Sequence, residues 1–254
     1  MSSLFVLISG FGEPYYSHKL EILRNNLERI HEHPWRSVKV VLCQYSPPAQ
    51  YPFPEALIQK YGIYIIYEPG IVGQFMKRWA RPDIIEAYDY ILTLLDDIEL
   101  LPGMDWTKMI RYYNDFGMDL VSPSLSLDSK FQYPYMLHDP NQPCVCLKIT
   151  NCCEYFCLFA DTKRFKKYYD HLDDKNPWMW GLDLILRKHC GIRVGILNQM
   201  TMKHWYKNAS YALRPDADPV KGFAYMMEKY TETADALAHQ KPVVYYIVDP
   251  VEGA

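Results

Sequence analysis

The sequence has 254 residues, 49% of them hydrophobic, with a net charge of −3 and a pI near 6.2. A chain of this length buries one large core or two small ones. Its mildly acidic balance argues against binding to nucleic acid or to an anionic membrane surface. No stretch approaches the ~20 apolar residues of a membrane span, and the first residues lack the basic start of a signal peptide. We therefore expect a soluble, cytoplasmic protein.

Apolar runs alternate with helical periods in the first part of the chain. Strands are predicted at residues 4–9, 38–43 and 63–67, with helices at 20–30 and 54–61 between them. A glycine-bearing loop at residues 10–14 follows the first strand. This alternation predicts an α/β fold with a mostly parallel central sheet flanked by helices.

The most informative stretch is residues 88–101, YDYILTLLDDIELL. Its first half is typical of a strand buried on both faces, and it ends in Asp96, Asp97 and Glu99. On an extended chain, Asp97 and Glu99 point to one side and Asp96 to the other. Open α/β sheets bind ligands at the carboxyl ends of their strands, so the cluster predicts a divalent-cation site. The alternative is a turn with solvated carboxylates.

A basic pair, Lys77 and Arg78, lies on the predicted helix that leads to this strand. The two side chains are well placed to bind an anion next to the acidic cluster. They fit an ordinary solvated helix face equally well. Both interpretations are open.

The second half predicts further elements around a long loop. Helices are expected at residues 106–113, 177–190 and 223–237, and strands at 120–123, 144–150, 154–159 and 192–197. The loop at residues 124–143 has neither a helical nor a strand period, and loops of that length usually bind ligands. Its Tyr133, Tyr135 and His138 are therefore candidates for ligand contact. We expect one domain over residues 1–210, with a helical extension, 211–254, packed on it.

Three motifs together resemble the GT-A-fold glycosyltransferases, which use a nucleotide sugar and usually a divalent metal. The acidic stretch is similar to the family's Asp-x-Asp, and residues 180–183 (WGLD) are similar to its Trp-Gly-x-Asp/Glu. His204, in MTMKHW, stands where the family often has a metal-binding histidine. Residues 180–205 also resemble uncharacterised glycosyltransferase-like proteins of plants and bacteria and soluble transferases of large algal viruses.

The resemblance implies a Rossmann-type, GT-A-like sheet and a site for Mn²⁺ or Mg²⁺. Pro102 follows Asp97 by five residues, as a proline often follows the family's metal ligand, and this register makes Asp97 the ligand. A shifted register, in which Asp97 and Glu99 form the motif, is also open. His204 would add a nitrogen ligand, which favours Mn²⁺; a surface or core histidine is its other interpretation.

The resemblance also implies a UDP-sugar donor and a carbohydrate acceptor. Tyr133, Tyr135 and His138 of the long loop are then the acceptor-contact candidates. In the first register, Leu95 stands at the position of the family's first aspartate. The donor contact made from that position would then come from Asp96 or from Ser9 and Gly10. The sequence does not name the sugar or the acceptor.

The WGLD motif supplies a candidate for the catalytic residue. An acceptor hydroxyl must lose a proton in direct displacement, and a carboxylate such as Asp183 can take it as general base. Trp180 would pack on a sugar ring in the acceptor site. In the other interpretation, Asp183 pairs with Arg187 on one helical face, worth ~0.3–0.5 kcal/mol. Glu154 is the second candidate for the base, or for a nucleophile in a retaining enzyme.

Two other function classes are open. A sugar nucleotidyltransferase would share the sheet and the acidic site but usually has a basic, glycine-rich phosphate loop near its start. Here the first strand is followed by no nearby lysine or arginine before Lys19, which argues against that class. A non-catalytic nucleotide- or sugar-binding module is favoured by Leu95 in place of an aspartate.

Overall fold

The computed structural model describes residues 1–130, 133–206, 218–232 and 245–248. Its strands are β1 (Ser3–Phe11), β2 (Ser37–Gln44), β3 (Ile63–Tyr67), β4 (Tyr90–Leu95), β5 (Ile98–Leu100), β6 (Leu120–Leu125), β7 (Val145–Thr150), β8 (Cys157–Asp161), β9 (Val194–His204) and β10 (Tyr245–Val248). Its helices are α1 (Tyr16–His31), α2 (Glu55–Tyr61), α3 (Val72–Trp79), α4 (Pro82–Ile85), α5 (Trp106–Asp115), α6 (Thr162–Tyr169), α7 (Leu182–Ile185) and α8 (Pro219–Lys229). Within these described segments, no helix has the length and apolar character needed to cross a membrane.

All the described strands belong to one sheet, in the order β10-β7-β9-β6-β8-β4-β1-β2-β3, with β5 paired to β9. Along this order β7 and β8 run against the other strands. The predicted α/β fold with a mostly parallel sheet is confirmed. Its first half, β3-β2-β1-β4, is entirely parallel. The near-continuous apolar runs of β1 and β4 match their burial on both faces of this sheet.

The second half departs from the sequence prediction at two strands. β8 begins at Cys157 rather than at residue 154, and β9 continues to His204 rather than ending at residue 197. Because β8 is antiparallel to β4, residues 154–156 lie beside the carboxyl end of β4. The start of one strand and the end of its neighbour therefore meet at one edge of the sheet.

The predicted helix at residues 177–190 is wrong over most of its length. Only Leu182–Ile185 is helical. Met179 and Gly181 have φ values of 60° and 80°, and residues in the left-handed region cannot continue a right-handed helix. The carbonyl of Pro177 accepts a hydrogen bond from the N–H of Gly73 at 2.9 Å. The WGLD motif therefore spans a turn and the start of α7, and the residues just before it pack against α3.

The predicted terminal helix is present as α8, which ends at Lys229, while residues 233–237 of the prediction lie outside the described residues. α8 packs on the turn before α7, where a Cβ on Gly181 would lie 2.9 Å from the Phe223 ring. β10 pairs antiparallel with β7, so the C-terminal part of the chain adds a strand as well as a helix. The boundary at residue 210 stays a prediction.

One buried amide fixes β5 against α1. Asn26 Nδ2 donates to the Ile98 carbonyl at 2.7 Å, and the Leu100 N–H donates to Asn26 Oδ1 at 2.7 Å. β5 in turn pairs with the end of β9, where Ile98 lies opposite His204. Asn26 therefore holds in place the strand against which His204 is aligned.

We predict that Asn26→Ala lowers the free energy of unfolding by about 2–4 kcal/mol, because it leaves a buried carbonyl and a buried N–H unpaired. Asn25→Ala is the matched control, since half-buried Asn25 makes one hydrogen bond, to Glu99 Oε1, and should cost under about 1 kcal/mol. Denaturant unfolding of both variants measures the difference. Equal losses would mean that Asn26 does not fix β5.

Candidate active site

Two adjacent carboxylates follow β4, and each faces one basic group. Asp96 Oδ2 lies 2.8 Å from Lys19 Nζ and accepts the Gly12 N–H at 3.2 Å. Asp97 Oδ2 lies 3.1 Å from His204 Nε2. All four side chains are buried. Both acids are therefore withdrawn from bulk water, and each lies beside one basic side chain.

The two acids differ in their pKa values because they have different neighbours. Burial raises the pKa of Asp96 to about 6, opposed by the Lys19 ammonium and assisted by the Asp97 charge. Burial also acts to raise the pKa of Asp97, but His204 and Lys19 outweigh it and hold this pKa below its ordinary value. Asp97 thus has the lower pKa of the two acids, which suits a metal ligand because such a ligand must be ionised.

His204 is held against Asp97 from several sides. Its strand pairs with β5 through Ile98, and its ring centroid lies 4.5 Å from that of Phe156. The next residue, Trp205, donates its N–H to the Asp97 carbonyl at 3.1 Å. The imidazole is therefore positioned by β9 and its neighbours rather than by a mobile surface loop.

The geometry of this pair fits a divalent cation. Two ligand atoms about 2.1 Å from one ion, in adjacent octahedral positions, lie about 3.0 Å apart; Asp97 Oδ2 and His204 Nε2 are 3.1 Å apart. Among the described residues, no group of three or more His, Cys, Asp or Glu side chains is arranged around one metal position. A cation here would therefore take its remaining ligands from substrate and water.

Glu99 lies apart from this pair. Asp97 is in a turn between β4 and β5, so the extended-chain alternation that would align it with Glu99 does not apply. Glu99 Oε1 accepts from Asn25 at 3.1 Å and lies 3.9 Å from Arg29 Nη1, and its Oε2 accepts from the Trp205 indole at 2.9 Å. Both of its oxygens are engaged within the fold.

Lys77 and Arg78 form ion pairs near the surface. Lys77 Nζ lies 2.8 Å from Asp174 and Arg78 Nη1 lies 3.1 Å from Glu68. Both basic side chains are more than a third exposed, Lys77 at 35% and Arg78 at 48%. These contacts fit a solvated helix face, and the predicted role of the two side chains in binding an anion stays a prediction.

The predicted donor contacts at the end of β1 lie close to the acidic pair. Ser9 Oγ is buried and has no hydrogen-bond partner in the described part of the chain. Gly10 has a φ of 93°, a conformation that favours glycine. A Cβ on Gly12 would lie 2.4 Å from Ser46 Oγ, so this loop needs glycine to pass β2 and direct its N–H to Asp96.

A second pair of carboxyl groups forms between residues distant in the sequence. The side chains of Glu154 and Asp183 hydrogen-bond each other, and they are 6% and 8% exposed. The Tyr133 hydroxyl also hydrogen-bonds Glu154. Backbone N–H groups of Gly181 and Leu184 face Asp183. The start of α7 and the connection before β8 thus build one buried acidic site.

The two acids of this pair differ in their pKa values. Burial raises the pKa of Glu154 well above its ordinary value, and the charge of Asp183 adds to this. Burial raises the pKa of Asp183 to about 6, against the backbone N–H groups and the hydrogen bond from Glu154. Of the two acids, Glu154 therefore has the pKa that is raised further. Arg187 is exposed, so Asp183 is paired with Glu154 and not with Arg187.

Phe156 connects the two acidic pairs. Its ring centroid lies 4.5 Å from that of His204 and 6.2 Å from that of Tyr133, the residue bonded to Glu154. Its carbonyl accepts the Leu95 N–H at 3.0 Å. Both pairs therefore lie at the carboxyl end of β4, where an open α/β sheet binds its ligand.

Of the acceptor-contact candidates, Tyr133 hydrogen-bonds Glu154 of this second pair, and Tyr135 lies close to both acids. The Tyr135 hydroxyl is buried without a hydrogen-bond partner among the described residues. Burial raises its pKa, and the next largest contributions come from Asp183 and Glu154. The hydroxyl is therefore available to a ligand beside these two acids.

His138 and Trp180 have structural contacts of their own. His138 Nδ1 lies 2.6 Å from the Asn198 carbonyl at the irregularity in β9. Trp180 is half-buried, and its carbonyl accepts from Asn176 at 2.9 Å. Their predicted roles in acceptor binding remain predictions.

Sequence reasoning missed two residues of the acidic edge. Lys19 is fully buried, and its Nζ donates to the Gly12 carbonyl at 3.0 Å; its position one helical turn after the glycine loop was the available signal. Tyr206 stacks on Tyr15 with centroids 4.1 Å apart, and its hydroxyl contacts His18. No pattern in the sequence indicates that stack.

Comparison with known proteins identifies the fold. No protein-family model and no curated protein matches the chain. The structure is similar to GalNAc-T7 with UDP, GalNAc and Mn²⁺, with a TM-score of 0.62 and 10% identity over 93% of this chain and 50% of that one. It is also similar to S. aureus TarS 1–349, with a TM-score of 0.56 and 10% identity over 95% and 76% of the two chains. The chain thus has the GT-A-like fold of these glycosyltransferases and spans about half the length of the GalNAc-T7 chain.

We predict that Asp183→Asn raises the free energy of unfolding at pH 8 by about 1–3 kcal/mol. The folded-state pKa of Asp183 is raised from 3.8 to about 6, so the native state prefers the protonated form. That contribution is full below about pH 4 and is lost as the pH rises through about 6. Asparagine resembles the protonated form, so the gain should be much smaller at pH 4.

Denaturant unfolding at pH 4 and pH 8 measures this difference. Asp170→Asn is the control, because Asp170 forms an exposed ion pair with Lys166 and should change stability by less than about 1 kcal/mol. A gain that does not depend on pH would contradict the raised pKa of Asp183.

Proposed function

We propose that the protein is a metal-dependent glycosyltransferase that moves a sugar from a UDP-sugar to a carbohydrate hydroxyl. The observation that carries the proposal is the placement of two different acidic pairs at one edge of a GT-A-like sheet. In the pair formed by Asp96 and Asp97, Asp97 lies beside the His204 imidazole, at a distance that fits two ligands of one cation. The other pair contains a carboxylate suited to accept a proton. Glycosyl transfer from a nucleoside diphosphate needs both.

Asp97 and His204 would hold the divalent cation. When bound, the cation supplies positive charge to the diphosphate leaving group as negative charge develops there. GalNAc-T7, which shares the fold, was observed with UDP and Mn²⁺, and the nitrogen ligand here also favours Mn²⁺ over Mg²⁺. Asp96 and Lys19 would hold the adjacent glycine loop, with Ser9 and Gly10 nearby to contact the nucleotide.

Asp183 would act as the general base, with inversion at the anomeric carbon. Its pKa of about 6 leaves it ionised at pH 7 while keeping it basic enough to accept a proton in the transition state. The acceptor O–H bond breaks as the new O–C bond forms, and the diphosphate leaves with the electrons of the old bond. The proton moves to Asp183.

The acceptor would lie between Asp183 and the 133–143 part of the long loop. Tyr135, whose buried hydroxyl has no partner within the described residues, is suited to hydrogen-bond a sugar hydroxyl. Trp180 precedes the turn that carries Asp183 and would pack on the apolar face of a sugar ring. His138 is the outer candidate, because its Nδ1 is already bonded to a carbonyl.

We predict that Asp97→Asn and His204→Ala each weaken Mn²⁺-dependent binding of UDP by about 100-fold, because each removes one of two protein ligands. Glu99→Gln is the matched control and should bind UDP normally, since Glu99 is engaged by Asn25 and Trp205. Calorimetry with UDP in the presence and absence of Mn²⁺ measures this. Loss of binding in Glu99→Gln alone would support the shifted register instead.

We predict that Asp183→Asn lowers kcat by about 10²–10⁴ and leaves the affinity for UDP within about twofold of the wild type. Arg187→Gln is the control, because exposed Arg187 is not paired with Asp183. Turnover is measured as UDP release across a panel of UDP-sugars and acceptors. Equal, small losses in both variants would remove Asp183 as the base, and UDP binding without turnover of any donor would support a binding module.

A further inference from the structure

We propose that Glu154 is a positioning residue for the reaction: a neutral carboxylic acid that donates its proton to Asp183 and thereby fixes the orientation of the reactive carboxylate. The inference rests on the proposed function, in which Asp183 accepts the proton of the acceptor hydroxyl. It replaces the two roles that the sequence left open for Glu154, those of base and nucleophile.

The hydrogen-bond arrangement supports this assignment. Glu154 hydrogen-bonds Asp183, and the Tyr133 hydroxyl hydrogen-bonds Glu154. Backbone N–H groups around the start of α7 face the same Asp183 carboxylate. Two carboxyl groups can share a hydrogen bond only if one of them is protonated. The Tyr133 hydroxyl is one donor that stabilises charge on Glu154, whereas the backbone N–H groups of Gly181, Asp183 and Leu184 all stabilise charge on Asp183. The larger set of donors is on Asp183, so the proton resides on Glu154.

The charges around the pair lead to the same conclusion. The titratable groups that face it are Tyr133, Tyr135, Tyr168, Cys152 and Cys153. Tyrosines and thiols with ordinary or raised pKa values are neutral at pH 7. No lysine, arginine or histidine of the described chain is among the groups that shift the pKa of either acid.

The contrast with the first acidic pair shows why the proton is needed. Asp96 and Asp97 are both balanced by basic partners, Lys19 and His204. Glu154 and Asp183 are equally buried, and within the described segments neither forms an ion pair with a lysine, arginine or histidine. Two adjacent carboxylates do not both ionise without such a partner. Asp183 can therefore carry a charge in this position because Glu154 retains its proton.

The proton balance of the step is simple. The acceptor proton moves to the oxygen of Asp183 that faces the acceptor, while Glu154 keeps its own proton and its hydrogen bond to the other oxygen. Asp183 then releases the transferred proton to water after the products leave. A carboxyl group that stays protonated throughout is neither a base nor a nucleophile, so inversion needs only Asp183.

Carboxyl ¹³C NMR of the full-length protein tests the protonation directly and does not depend on activity. Spectra would be followed from pH 4.5 to pH 8, with the two signals assigned by Glu154→Gln and Asp183→Asn. We expect the Glu154 signal to stay at its protonated position through pH 7 while the Asp183 signal titrates near pH 6. Ionisation of Glu154 below Asp183 would overturn the inference.

Measurements of kcat and its pH dependence distinguish a positioning role of Glu154 from a direct role in proton transfer. Glu154→Gln keeps a donor to Asp183, so kcat should stay within about threefold of the wild type and the rising limb of the pH–rate profile should stay near pH 6. Glu154→Ala removes the donor, so kcat should fall by about tenfold or more. The rising limb of the pH–rate profile of Glu154→Ala should move to higher pH by about one unit, because the charged form of Asp183 loses a hydrogen bond.

Two controls and two outcomes make the result decisive. Thermal unfolding and Mn²⁺-dependent UDP binding should be retained in both Glu154 variants used for kinetics. If Glu154→Gln is as inactive as Asp183→Asn, Glu154 is itself the reacting group; if Glu154→Ala keeps both the wild-type rate and the pH limb, it positions nothing. Failure of the proposed function would instead appear as absent metal-dependent UDP binding or full activity of Asp183→Asn, with the NMR result unaffected.

Discussion

Charge balance among buried carboxyl groups is the constraint on which the rest of this site depends. Four acids lie at the carboxyl end of β4 or beside it, and burial penalises each as an anion. The fold offsets this burial penalty in two ways. Asp96 lies beside Lys19 and Asp97 lies beside His204. Glu154 instead retains a proton, which it donates in a hydrogen bond to Asp183. One pair is thus prepared for a cation and the other for a proton.

The local features of the fold were predictable from the sequence because they depend on neighbouring residues. Fully buried parallel strands require near-continuous apolar runs, and β1 to β3 match their predicted positions closely. The contact between Asp97 and His204 was expected only through the resemblance to a known fold family. No periodicity in the chain relates these residues, since β5 and Asn26 bring them together.

The parts that escaped prediction depend on contacts between distant residues. The apolar spacing of residues 177–190 fits a helix, but Met179 and Gly181 adopt left-handed conformations so that this turn can pack on α3 and α8. That packing directs Asp183 to Glu154 and leaves Arg187 exposed. Likewise, the two-residue alternation applied to Asp97 and Glu99 fails because Asp97 lies in a turn. In each case tertiary contacts override a local pattern.

The central claim is that Asp97 and His204 hold a divalent cation together with the diphosphate of the donor. The most direct measurement is a crystal structure with UDP and Mn²⁺, using the anomalous signal of manganese to locate the ion. The account predicts one strong peak about 2.1–2.2 Å from Asp97 Oδ2 and His204 Nε2, with the diphosphate completing the coordination. A fully bound UDP with no peak there, or with the ion at Glu99, would contradict it.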